Sequence, residues 1–182
     1  DQGVGIRKIS VTSGSISLVA GGGLGGREGF NGDNIPATSA ALNWPSAVAL
    51  DSSGNIYIGD TRNSRIRKVT AATSIISTIA GTGETYGLIG DNVAATRATL
   101  NRPTGIAVDT LGQLFIADSA NGKIRRVSPG SGKISSVDGG SFVQPVAVTV
   151  DSSGNLYVAD QASSAVYKLN SATGIAAVIA GD

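Results

Sequence analysis

The sequence contains no cysteine, no methionine and no histidine. Those zeros exclude disulfides, zinc–thiolate centres, haem–histidine ligation, Cys–His nucleophiles and Ser–His–Asp triads supplied by this chain. Aromatic residues are scarce at 4%, which leaves few rings for stacking on nucleic-acid bases. An excess of charge is also missing. Fourteen basic against 13 acidic side chains leave a formal net charge of +1, and so no bulk reason to expect polyphosphate partners or an acidic polymer substrate. No apolar run approaches the roughly 18–20 residues a membrane helix needs, and no signal-peptide pattern opens the chain. A start at Asp1 without Met reads as a processed chain or a segment of something longer. Cysteine-free composition fits any compartment. Abundant Ser and Thr on a loop-rich surface lean towards an extracellular protein.

What is present is 26 glycines, 41% hydrophobic residues over 182 positions, and repetition. The length suits one domain with a real core. A stretch running from Pro45 through Asp51, Gly54, Asn55 and Tyr57 to Asp60 recurs from Pro103 through Asp109, Gly112 and Phe115 to Asp118. It recurs again from Pro145 through Asp151, Gly154, Asn155 and Tyr157 to Asp160. A second module follows each time: Arg65–Val69 with 74–81, Lys123–Val127 with 133–137, and Ala165–Leu169 with 174–181. Residues 5–9 and 15–21 match that second module alone. The chain thus holds three full units, about 45–81, 103–139 and 145–181, preceded by a half-unit over 1–22.

Each unit predicts four short strands, a to d, near 46–50, 55–59, 64–69 and 74–80 in the first unit. Val, Ile, Leu and Tyr supply strand content, and turn residues separate the runs. In the a–b turn Gly54 and Gly154 can take positive φ, and the Asp can bond the turn backbone. Four strands at this period are the signature of an all-β fold, a β-propeller of four-stranded blades. The pattern Pro-x-Gly/Ala-x-Ala-Val/Leu-Asp, then Gly-Asn-x-Tyr-x-Ala-Asp, then Asn-x-x-Ile-Arg-Lys/Arg resembles the NHL repeat. Ser163, Ser164 and Ala165 depart from it in the third unit. The resemblance implies a closed six-bladed ring, and it implies the fold rather than the function. Six blades need on the order of 250 residues. An arc of three and a half exposes blade faces, so either the array continues or copies of the chain cover them.

Two long spacers separate units: Gly32–Pro45 and Gly90–Pro103, with Gly139–Pro145 as the short third version. Ala-Thr-x-Ala-x-Leu within them predicts one helical turn with Leu42 or Leu100 beneath it. Gly-Asp-Asn at 32–34 and 90–92 reads as a structural turn, because one carboxylate is too few for a calcium site. No metal, cofactor or catalytic residue is expected. Asp60, Asp118 and Asp160 recur in every unit and so read as turn caps, since a site breaks the symmetry that a fold requirement keeps. Arg65, Arg67, Lys68, Arg125 and Arg126 read as solvated strand edge or repeat scaffold, which makes nucleic acid an unlikely partner.

Symmetry-breaking residues in the d–a loops are the candidates for partner contact: Arg27, Phe30, Trp44, Glu84, Tyr86, Arg102 and Phe142. Aromatic and Arg side chains on one loop-bearing face suit recognition of a protein or glycan, and loop anchoring is the competing role. The function expected is a non-catalytic binding scaffold or a structural subunit of an extracellular assembly. The alternatives are a lyase- or lactonase-like enzyme completed by further chain, and single-stranded RNA binding.

Overall fold

The structure is a computed structural model that describes residues 4–86, 90–137 and 139–181. Its strands are short antiparallel meanders, because the apolar runs are brief and each ends at a tight turn. β1 (Gly5–Ile9) and β2 (Ile16–Gly21) form a two-stranded sheet. β3 (Ile35–Pro36) precedes β4 (Pro45–Leu50), β5 (Ile56–Asp60), β6 (Arg65–Val69) and β7 (Ile75–Ala80). The second set is β8 (Val93–Ala94), β9 (Pro103–Val108), β10 (Leu114–Asp118), β11 (Lys123–Val127) and β12 (Lys133–Ser136). The third is β13 (Pro145–Val150), β14 (Leu156–Asp160), β15 (Ala165–Leu169) and β16 (Ala176–Gly181).

Strands a to d therefore lie in order in each sheet, and β4, β9 and β13 are inner strands lying side by side. This is an arc of propeller blades. Pro45, Pro103 and Pro145 open the inner strands opposite Asp60, Asp118 and Asp160, each beside a register shift. A residue without an amide proton is tolerated at such an end. Gly105 lets β9 approach β13, since a Cβ there would fall 2.7 Å from the Ala147 Cα. Hydroxyls stitch the inner strands together. Thr61 Oγ1 donates to the Pro103 carbonyl at 2.7 Å and Thr104 Oγ1 to the Val146 carbonyl at 2.9 Å.

The a–b turns explain the recurring Asp. Asp51 accepts from the amides of Ser53 and Asn55, from Asn55 Nδ2 and from Tyr57 Oη, all within 3.1 Å. Gly54 takes φ +77° inside that turn. Asp151 repeats the set with Ser153, Asn155 and Tyr157. Where the second unit has Phe115 for Tyr, Gln113 takes the place of Asn and only the hydroxyl contact is lost.

Alternation along the strands gives each sheet two unlike faces. One carries large aliphatics such as Ile56, Ile58 and Val69, or Leu114, Ile116 and Val127. The other carries small residues around one ring: Ala47, Ala49 and Tyr57, or Ala107, Ala117 and Phe115. Small-and-ring faces pack on the aliphatic face of the next sheet, giving three apolar clusters between successive sheets. Burial shows where that alternation runs out. Ile106 and Val148 are each 7% exposed, whereas Val48 in the same position is 50% exposed, because the two-stranded sheet has no inner strands to cover it.

The long spacers do more than connect. The helical turns arrive as 3-10 turns at Ala37–Ser39 and Ala95–Arg97, with Leu42 and Leu100 fully buried. Before each turn, β3 pairs with β7 and β8 pairs with β12, so the first two full sheets have five strands rather than four. Each spacer is a strap along the outer edge of its own sheet. The Ala37 and Ala95 amides donate to the Ser74 and Gly132 carbonyls of the c–d turns, at 2.9 Å in both.

Candidate functional site

The b–c and d–a loops share one end of the arc, and the third residue of strand c lies under them. In the sequence the basic residues of strand c read as a solvated edge, and for two of them the structure corrects this. Arg67 and Arg125 are fully buried. Alternation turns them to the aliphatic face, where the strap closes over them. Arg67 Nη2 donates to the Gly32 carbonyl at 2.8 Å and to Asp33 Oδ1 at 3.0 Å, and its Nη1 lies 3.6 Å from Asp60 Oδ2. Arg125 repeats this with Gly90, Asp91 and Asp118 at 3.0, 3.1 and 3.8 Å. Asp33 also accepts from the Thr78 amide and hydroxyl, as Asp91 does from Ser136. Gly-Asp-Asn is thus a clamp holding the strap to strands c and d.

Asp60 reads as a turn cap in the sequence, but its carboxylate bonds no backbone amide of Thr61–Asn63 and belongs to this buried network instead. It accepts from the Asn43 amide and Asn63 Nδ2. Burial pushes its carboxyl above the ordinary range, against the lowering effect of the Asn43 amide, Asn63 and Arg67. Asp118 behaves alike through Asn101, Asn121 and Arg125. The third unit differs. Tyr167 stands where Arg67 and Arg125 stand, and Phe142 packs edge-on against it with centroids 5.5 Å apart. Asp160 accepts from the amides of Val143, Gln144 and Ser163. Burial pushes its carboxyl up, but these amides outweigh it and the net shift is downward.

Of the predicted contact residues, Phe142 is therefore a half-buried anchor of the short loop. Trp44 is 56% exposed and has φ +51°. A residue before proline ordinarily takes extended backbone; Arg102 before Pro103 shares the left-handed φ, so this strain belongs to the end of both long spacers. The Arg62 guanidinium lies 4.2 Å from the Trp44 ring centroid and 3.8 Å from Glu28. Phe30 lies 4.1 Å from Arg65 and 4.8 Å from Arg67. Arg65 also donates to the Asn63 and Thr82 carbonyls, joining the loop of Phe30 to the loop of Glu84 and Tyr86. Tyr86 is 88% exposed. Arg27 is exposed. Arg102, with φ +53°, occupies the position of Trp44 one sheet further along and is not brought into the cluster.

Sequence reasoning missed Arg62 and underrated Arg65. Arg62 had a signal, since the matching position in the second unit is Ala120. Arg65 hid among the repeat's own cations. The resulting surface is amphipathic: two rings, each topped by a guanidinium, with Glu28 beside the first. Among the described residues no group of three or more Asp or Glu side chains could hold a metal ion, and no helix is long and apolar enough to cross a membrane.

The sequence pattern of the NHL repeat matches residues 42–69 and 100–126. The chain is 31% identical over 135 residues to Protein SUPPRESSOR OF QUENCHING 1, chloroplastic, of Arabidopsis thaliana, covering 72% of this chain and 12% of that protein. It is 30% identical over 124 residues to NHL repeat-containing protein 2 of Bos taurus, covering 66% of this chain and 17% of the relative. It thus spans less than a fifth of the length of either. Among solved structures, a streptogramin B lyase superposes with a TM-score of 0.59 at 15% identity, over 96% of this chain and 47% of the lyase. That likeness is one of fold.

Proposed function

Since the chain belongs to the NHL-repeat family of β-propellers, we propose that it is a non-catalytic scaffold that binds a protein partner through its d–a loop end. The observation that carries this reading is the Trp44–Arg62–Glu28 stack, together with the Phe30 ring under Arg65. Large rings and guanidinium groups are the side chains that dominate protein contacts, because they remove much apolar area from water and still offer donors at the rim. A sharp division of labour supports it. Recurring polar residues are consumed by turns, straps and inter-sheet contacts, while Trp44 and Tyr86, which break the repeat, stand exposed.

A lyase reading would draw on the streptogramin B lyase fold alone. A chain without histidine or cysteine offers no imidazole base or thiolate of its own. A nucleic-acid reading loses two of its five cations to the interior, Arg67 and Arg125.

The test is binding of the purified chain to peptide and glycan arrays, compared with Trp44→Ala and Tyr86→Ala variants of unchanged melting temperature. The expected result is protein-derived ligands whose signal falls about tenfold or more in the variants. Binding indifferent to both substitutions, binding to glycans alone, or metal-dependent turnover of an ester or lactone would overturn the proposal.

A further inference from the structure

At the opposite end of the arc, between the second and third sheets, lies a cleft of about 570 Å³. Its walls are apolar, with Phe115 and Val137 from one sheet and Leu156 and Leu169 from the next. Its rim is polar and carries Asp109, Asp151, Ser153, Asn170 and Arg126. The volume lies in the range that holds a ligand of a few hundred daltons or a short peptide.

The preceding junction shows what such a space takes. There the matching wall residues are Tyr57, Ile79, Leu114 and Val127, and the strap adds Ala95, Ala98 and Leu100 to the same cluster. Across the third junction the linker adds one side chain to the cluster, Phe142, at the position of Leu100. The Gly139 carbonyl accepts from the Ala176 amide at 3.2 Å, on the strand edge where Val93 pairs with Ile134. The two ends of a strap thus have counterparts here, and among the described residues its middle, Ala95 to Ala98, has none.

We propose that this cleft binds a short peptide in a single 3-10 turn carrying two small apolar side chains three residues apart, Ala-x-x-Ala, supplied by another protein. The chain's own straps place such pairs, Ala37 with Ala40 and Ala95 with Ala98, fully buried against the equivalent walls. The two rim carboxylates, Asp109 and Asp151, outnumber Arg126 and favour a cation between the alanines, as Arg97 is placed in the second strap. The site is independent of the d–a loop end, because a–b and c–d turns line it.

The experiment is a titration of isotopically labelled chain with the capped peptide Ala-Ala-Thr-Arg-Ala-Thr, the sequence of residues 94–99, followed by amide NMR. Saturable shifts at Ser136, Val137, Ser153 and Gly174 are expected. A Ser153→Trp variant, changed only at the exposed rim, should weaken binding about tenfold or more. A variant in which residues 140–144 are replaced by the sequence of residues 91–102 should supply the strap in place and abolish it. No saturable shift overturns the proposal. So does equal binding of the reversed peptide, persistence in the strap-bearing variant, or filling of the cleft by a second copy as protein concentration rises without peptide.

Discussion

The first two full sheets and the third solve one packing problem by different chemistry. Each must fill the space beneath its d–a loop at the third residue of strand c. In the first two, a strap closes over a buried guanidinium held by two carboxylates. In the third, a linker half as long sets Phe142 against Tyr167. The ionic version demands a complete set of partners, since an unpaired buried charge costs far more than the pair returns. The aromatic version demands only shape. A short linker therefore goes with a tyrosine, and Arg at position 167 would have no Asp33 equivalent to meet it.

The largest expected effect tests that asymmetry directly. Arg67→Met keeps the volume but leaves Asp60 fully buried beside Asp33, and should cost about 3–5 kcal/mol in urea unfolding. A loss under about 1 kcal/mol would show that water already satisfies this cluster. Phe142→Ala removes a half-buried ring and its edge-on partner and should cost about 2 kcal/mol. If it equalled the Arg67 loss, the two solutions would be energetically alike.

Acid separates the two versions by sign. Burial raises the folded-state carboxyls of Asp60 and Asp118. Their contribution is present below the unfolded value of about 3.9 and is lost as pH rises through the folded one. The net shift at Asp160 is downward, so its contribution is present above that unfolded value and is lost as pH falls through the folded one. Melting temperature followed from pH 6 to 2 should therefore fall more steeply in Asp60→Asn and less steeply in Asp160→Asn than in the parent chain. Slopes changing in the same direction would refute the contrast. The smallest effect belongs to Trp44→Gly, which relieves a left-handed backbone worth about 1 kcal/mol and gives up a guanidinium–ring contact worth 0.5–1 kcal/mol. Stability should shift by no more than about 0.5 kcal/mol in calorimetry, while binding to the partner falls.

Repeat period, strand spans and turn residues were legible because they depend on neighbours in the chain. The Asp51 turn closes within six residues, so Asp, Gly, Asn and Tyr could be read as one unit. The clamp was not legible, because Asp33 and Arg67 are 34 residues apart. Nothing local tells an arginine facing solvent from one beneath a strap. Regularity also misled, for a cation in every unit looks like surface decoration until alternation assigns it a face. The strap's added strand escaped notice because two residues carry no detectable period. Trp44 was found by breaking the pattern, but its partner Arg62 lies on a different loop, and only the folded chain brings them together.

The unlike faces of each sheet bear on symmetry. Aliphatic side chains such as Val48 and Leu50 are exposed on the first full sheet, and the small-and-ring type of face is presented by the third. A surface of one kind fits its complement and not itself. Two copies meeting through these faces could not be related by a two-fold axis, which requires a self-matching patch. They would join head to tail, the pair leaving one surface of each kind free, and the result would be a ring or an open filament whose direction is that of the chain.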